Sequence, residues 1–144
     1  MKKVLLITLL SGLILVTGCG QKTENLSCIK AGKSDQFSLK QETLVTFEKG
    51  KITKLENKSY TEFGEDAMDG FDAYYNTLTS TLNVYKDKSG VKLNIEKGKN
   101  NISTSVTFDI DKVSKNEVEG LTVDPTASKE QVIAELELDG YTCK

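Results

Sequence analysis

The sequence has no histidine and no tryptophan, and all 19 of its basic side chains are lysine. Each absence removes a class of chemistry. Without His the chain lacks the commonest general base and metal ligand. Triads that depend on His, and zinc sites of the Cys/His type, are excluded. Without Arg it lacks the planar fork that holds phosphate and carboxylate through paired hydrogen bonds. The formal net charge is −2, against 21 acidic side chains. A mildly acidic chain without Arg points away from nucleic acid as a partner. Proline occurs once, at Pro125, so no proline-rich linker divides the chain. With 144 residues, length favours a single domain.

What is present begins at the amino terminus. Lys2 and Lys3 precede an apolar run, Val4 to Val16, interrupted only by Thr8, Ser11 and Gly12. The run is short for a permanent membrane span and has the order of a secretory signal. It ends in Val16-Thr17-Gly18-Cys19, which resembles the lipobox of bacterial lipoproteins: an aliphatic residue, two small ones, then Cys. Small residues let a peptidase grip extended chain beside the cut, and the thiol takes the lipid. The expected organisation is a signal peptide over 1–18, the lipidated Cys19 with a short tether over 19–26, and one α+β domain over 27–144. Cleavage would leave 17 basic and 21 acidic side chains, a net charge near −4. The only prosthetic group expected is the diacylglycerol and N-acyl lipid on Cys19. Its acyl chains would hold the protein to the outer leaflet of the cell membrane.

Three cysteines are an odd number for an exported protein. If Cys19 is acylated, Cys28 and Cys143 remain, near the two ends of the folded region. An oxidising compartment allows them to form a disulfide; the alternative is two free, buried thiols.

Hydrophobic spacing supplies the elements. Leu26–Ile29 reads as a short strand and Ala31–Asp35 as a loop. Phe37, Leu39, Val45 and Phe47 share one parity, the mark of a strand with one buried face. Lys49-Gly50 is a two-residue turn into a returning strand from Ile52 to Phe63. There Ile52 and Leu55 fall on opposite parities, which calls for a bulge. Met68, Phe71, Tyr75, Leu78, Leu82 and Tyr85 recur every three or four residues, predicting an amphipathic helix over Glu65–Tyr85. Val91, Leu93 and Ile95, a turn at Lys97–Asn100, then Ile102, Thr104, Val106, Phe108 and Ile110 spell a hairpin. A connector over Lys112–Thr126 carries Val113, Val118, Leu121 and Val123. Ser128-x-x-Gln131 is a capping box that opens a second helix bearing Val132, Ile133 and Leu136; Gly140 ends it. Tyr141–Cys143 is an extended tail, expected to lie beside the segment with Cys28. The expected fold is two ββα units forming one antiparallel sheet of four to five strands, with two helices packed on one face.

Four clusters invite a chemical reading. Glu65, Asp66 and Asp69, with Asp72, are weak candidates for a cation site. A calcium loop has a different spacing, and acidic residues at a helix start are also what its dipole favours. Asp109 and Asp111 alternate with Phe108 and Ile110, which puts them on a solvated face rather than in a catalytic pair. Lys49, Lys51 and Lys54 surround a hairpin tip, suited to an anionic surface or simply to solubility. Tyr74 and Tyr75 suit either a ligand groove or core packing. No Ser or Thr lies in a nucleophile motif.

The lipobox, the Cys28 segment, Leu44–Phe47 with Lys51–Lys54, Val106–Ile110 and the ending Gly140–Lys144 together resemble the YehR-like family of small bacterial lipoproteins, whose function is uncharacterised. The paired cysteines resemble those of its Gram-positive-like members. The resemblance implies a small α+β domain and carries no catalytic residues. The expectation is a non-enzymatic envelope domain, anchored by lipid, that binds another envelope component, such as a protein, through the sheet edge, the solvated sheet face or the long connector. Small-ligand or cation binding stands second, and an envelope hydrolase ranks last.

Overall fold

The computed structural model describes residues 22–114 and 121–144. The signal segment 1–18, Cys19 and Val118 lie outside the described residues. Eight principal elements follow in order: β1 (Thr23–Lys33), β2 (Phe37–Glu48), β3 (Lys51–Phe63), α1 (Phe71–Leu82), β4 (Val91–Lys97), β5 (Asn101–Asp109), α2 (Lys129–Leu138) and β6 (Thr142–Cys143). The strands form one antiparallel sheet in the order β4-β5-β3-β2-β1-β6.

This corrects the expected four to five strands. Among the described residues there are six, and the order is three strands and a helix, two strands and a helix, then a last strand. Two segments account for the difference. The short strand expected at Leu26–Ile29 is 11 residues long, because β1 pairs with β2 from Thr23 to Lys33. Its upper half, Lys30-Ala31-Gly32-Lys33, is exposed and has no apolar alternation to announce it. The tail is strand β6, only two residues long, too short for any periodicity. The strand start at Thr23 also brings part of the expected tether into the sheet.

The β2–β3 hairpin is the centre of the sheet. Lys49 and Gly50 both take positive φ, 53° and 78°. Such a turn matches the right-handed twist of its strands. Register then shifts between Thr46 and Phe47: Thr46 faces Lys54 while Phe47 faces Ile52. Thr53 is the extra residue of a bulge. The bulge turns both Ile52 and Leu55 into the core, at 4% and 1% exposure. The freed Thr53 carbonyl accepts from Ile110 N at 3.0 Å.

One row of the sheet, Leu26-Val45-Leu55-Phe108-Val91, crosses five strands side by side. With Cys28, Phe47, Ile52 and Val106 it forms the main core, against Val132 and Leu136 of α2 and Val113 and Val123 of the connector. A second cluster, Phe63, Phe71 and Ile102, lies under α1 with Met68, Tyr75 and Leu78. Both helices therefore lie over the same face. Phe37 shares the parity of the buried stripe but is 43% exposed, because it sits at the far end of the sheet beside the Ser34–Gln36 turn.

The first helical segment is built in three pieces. Glu65–Gly70 is a 3-10 turn, Phe71–Leu82 is α-helix and Asn83–Tyr85 returns to 3-10. The change at Gly70 falls where helix propensity is weakest. Lys97 of β4 holds this helix to the sheet. Its Nζ lies 2.6 Å from Asp72, 5.3 Å from the Phe71 ring centre and 4.7 Å from that of Tyr75. At α2, Ser128 Oγ accepts from Gln131 N at 3.3 Å, and Gln131 Oε1 accepts from Ser128 N at 2.8 Å. Asp124 sets up this start by accepting from the N–H and hydroxyl of Thr126.

A disulfide joins Cys28 of β1 to Cys143 of β6, 115 residues apart. Ser27 and Lys144 exchange both backbone hydrogen bonds, at 3.2 and 2.8 Å. This leaves the cysteines as the neighbouring non-hydrogen-bonded pair, where antiparallel strands approach most closely. The link closes nearly the whole domain into one loop and constrains the unfolded chain accordingly. Reducing it, or making the Cys28→Ser/Cys143→Ser variant, is expected to lower stability by about 3–5 kcal/mol. Urea titration with and without reductant checks this; an unchanged midpoint would refute it.

Surface carboxylates set the pH response. Hydrogen bonds from Lys22 and Lys129 lower the Glu24 pKa. The Thr126 backbone N–H and hydroxyl lower that of Asp124, and Glu130's own backbone N–H and the Ser128 hydroxyl lower that of Glu130. Groups depressed on folding stabilise the native state above their unfolded pKa, and that contribution is lost as pH falls through the folded value. Lys22 and Lys112 are raised by Glu24 and Asp109. Their contribution is full below the unfolded lysine pKa and is lost only as pH rises above it. With no His in the chain, the melting temperature is expected to be flat from about pH 6 to 9 and to fall below about pH 4.5. Asp124→Asn with Glu130→Gln should flatten the acid limb, as melting curves would read.

Candidate functional site: a polar cleft between the helices

The face that the helices cover is not apolar throughout. Side chains alternate along each strand, so Val45, Leu55 and Phe108 share their face with every second residue. That parity includes Gln41 and Thr43 on β2, Asn57 and Ser59 on β3, and Thr104 on β5. Register aligns them. Gln41, Ser59 and Thr104 form one row across three central strands, and Thr43 and Asn57 sit side by side in the next. The two rows lie where the α1 cluster and the α2 cluster part.

A cleft of about 190 Å³ opens over these rows. Its floor is Gln41, Thr43, Asn57, Ser59 and Thr104. Leu82 and Tyr85 line one side, and Thr122 and Tyr141 the other. Both tyrosines are held in place. The Tyr85 ring meets Phe108 edge-on at 5.5 Å. Lys30 Nζ lies 5.8 Å from the Tyr141 ring centre and donates to the Asp139 carbonyl at 2.6 Å. On the floor, Asn57 Oδ1 accepts from Thr43 Oγ1 at 3.1 Å and from Thr122 Oγ1 at 3.3 Å, tying the connector to the sheet. Thr43 is 2% exposed and Thr104 9%. Among the described residues, the one buried side-chain polar atom without a partner is Thr79 Oγ1, outside the cleft. The polar groups of the floor are thus satisfied by each other or reach open space. Hydroxyls and amides between two aromatic rings suit an uncharged polar ligand or loop, held by hydrogen bonds and ring contact.

The residues singled out in the sequence lie elsewhere. Glu65 and Asp66 sit in the 3-10 turn Glu65–Gly70 with Asp69, and Asp72 is taken by Lys97. Among the described residues, no group of three or more Cys, Asp or Glu side chains is placed to hold a metal ion. Asp109 is paired with Lys112, and the two line a depression of about 500 Å³ with Asp111 at the end of the sheet. Lys54 pairs with Glu56 at 3.7 Å on the open face. Tyr75 packs in the α1 cluster; Tyr74, 40% exposed, meets Phe63 edge-on at 5.3 Å. The cleft residues were missed. Their signal was present as polar side chains on the parity of buried stripes in three strands, but only register shows that they align.

The fold and its cleft define a class: a six-stranded antiparallel sheet with two helices over one face and a polar gap between them. Two structures solved by NMR share this fold. YehR of E. coli superposes with a TM-score of 0.63 at 16% identity, covering 86% of this chain and 92% of that one. A protein from Streptococcus pneumoniae TIGR4 superposes with a TM-score of 0.58 at 13% identity, covering 100% and 99%. Identity this low shows a common fold and brings no activity, ligand or partner to this chain. No family model matches the sequence, and no curated protein matches it.

Two sets of substitutions separate the hydrogen-bonded polar groups of the floor from the others. Asn57→Ala removes an acceptor shared by two hydroxyls and is expected to cost about 1–2 kcal/mol. Ser59→Val with Thr104→Val replaces floor groups by apolar ones between two apolar clusters and is expected to gain about 0.5–1 kcal/mol. Urea midpoints read both; a loss from the double Val variant would show that the floor serves packing alone.

Proposed function

We propose that this protein is a lipid-anchored, extracytoplasmic binding domain of the bacterial cell envelope, a YehR-like lipoprotein without catalytic activity, whose contact surface is the polar cleft. The observation that carries the reading is the cysteine pairing. Cys28 and Cys143 are joined to each other, which leaves Cys19, the residue that closes the lipobox-like Val16–Cys19, as the third. A disulfide between structural strands belongs to an oxidising compartment, and a signal-like amino terminus is the route to one.

The chemistry supports binding over catalysis. Every pKa shift resolved among the described residues arises from hydrogen bonds and ion pairs at the surface, in the direction that keeps the group charged. An acid–base catalyst needs the opposite, a group held near neutrality by burial. The cleft offers hydroxyls, amides and two phenol rings, which recognise but do not activate. Its partner is an exposed loop of an envelope protein; a small uncharged polar ligand is the second reading, favoured by the cleft's size.

Intact mass of the protein isolated from membranes tests the anchor. The expected chain starts at Cys19 and carries added lipid mass, whereas Cys19→Ala retains its first eighteen residues and gains none. Crosslinking on intact cells with Tyr85→Ala, in the same preparation, tests the cleft. A native chain without lipid overturns the anchor, and partner profiles identical to wild type overturn the cleft as the contact surface.

A further inference from the structure

The register of β1 fixes which end of the domain is nearest to Cys19. Thr23 pairs with Glu48, the last residue before the Lys49-Gly50 turn. From Cys19 to Thr23 is four peptide steps, at most about 14 Å when fully extended. An anchor on Cys19 therefore reaches the sheet at the β2–β3 tip and nowhere near its other end.

The two ends differ in charge. At the anchored end Lys49 and Lys51 are exposed, and neither has an ion-pair partner among the described residues. Lys22 lies beside them. The acidic residues there are largely engaged: Glu24 by Lys22 at 2.8 Å and Lys129 at 3.3 Å, and Asp109 by Lys112. Glu48, Asp111, Asp124 and Glu130 balance this charge, so the contrast is between a nearly neutral end, whose Lys49 and Lys51 have no ion-pair partner among the described residues, and an acidic one. The opposite end carries Asp35, Glu62, Glu65, Asp66 and Asp69 around the Gly64 and Lys97–Asn100 turns, against Lys33, Lys97 and Lys99.

We infer that the anchored domain stands upright on its β2–β3 tip, with Lys49 and Lys51 against anionic lipid headgroups and the acidic end pointing away. The inference rests on the lipid anchor proposed above. Each Lys near an anionic surface is attracted, and each carboxylate is repelled, within about a Debye length. The Lys49-Gly50 turn and the acidic turns lie at opposite ends of the strands, so both effects favour the same orientation. In it both faces of the sheet stand perpendicular to the membrane, and the cleft opens sideways, clear of the lipid.

Lysine labelling tests this directly. The full-length product isolated from membranes is added to preformed vesicles of neutral phosphatidylcholine, or of phosphatidylcholine with one-third phosphatidylglycerol. A water-soluble amine-reactive reagent is applied and each lysine is read by peptide mass spectrometry. Labelling of Lys49 and Lys51 is expected to fall at least threefold on the anionic vesicles relative to the neutral ones, with Lys33 and Lys99 unchanged. The protection should vanish in high salt. In a Lys49→Glu/Lys51→Glu variant, Lys22 should label equally on both vesicles. Intact mass of the same sample separates the two claims. Absence of lipid removes the anchor and this inference with it. Lipid present with uniform labelling, or with protection at Lys33 and Lys99 instead, overturns the orientation alone.

Discussion

The bulge at Thr53 is the constraint on which the rest of the structure depends. Without the extra residue, a regular β3 would send Ile52 and Leu55 to opposite faces, because side chains alternate strictly along a strand. With it, the strand turns its apolar residues inward on both sides of the irregularity and gains a carbonyl that captures Ile110. The two-residue turn just before it fixes where pairing begins. Turn and bulge together set which residues of β2 and β3 lie side by side. They thereby align Val45 with Leu55 in the core and Gln41 with Ser59 in the cleft.

That alignment explains why one sheet carries two apolar clusters and not one continuous core. A strand buried along its whole length would carry apolar residues at every second position. Here three neighbouring strands interrupt that rule at the same height. Satisfying polar groups so close to a core limits the apolar area that the helices can cover. The domain makes up part of the deficit at its margin, where the Cys28–Cys143 bond holds a strand too short to hold itself.

The parts legible in the sequence were those governed by local chemistry. The Lys49-Gly50 turn, the alternation from Ile102 to Phe108, the three-and-four spacing of Phe71, Tyr75, Leu78 and Leu82, and the Ser128–Gln131 box all act within a few residues. Each appears where its spacing puts it. The need for an irregularity near Ile52 was also visible, as a parity conflict. The upper half of β1 was not legible, because Lys30, Ala31, Gly32 and Lys33 are extended by their pairing with β2 and not by their own pattern. The place of β6 was legible through its cysteine and not through a period: the tail lies beside the Cys28 segment, as expected, although two residues are too few to announce a strand. The cleft falls between these cases. Its residues carried the right parity, but their convergence is a property of register across three strands, and no single segment encodes that.

Among the described residues the sheet is open, and its margins are β4 on one side and the two-residue β6 on the other, which leaves most of the outer edge of β1 without a paired strand. Bare margins invite strand addition from a neighbouring molecule. Here the exposed stretch of β1 presents Lys30 and Lys33, and β4 presents Lys92, Asn94 and Glu96 between its half-buried residues. A second copy docking margin to margin at β1 would set ammonium against ammonium. At high local concentration, where collisions between such margins are frequent, this arrangement discourages fibril seeding.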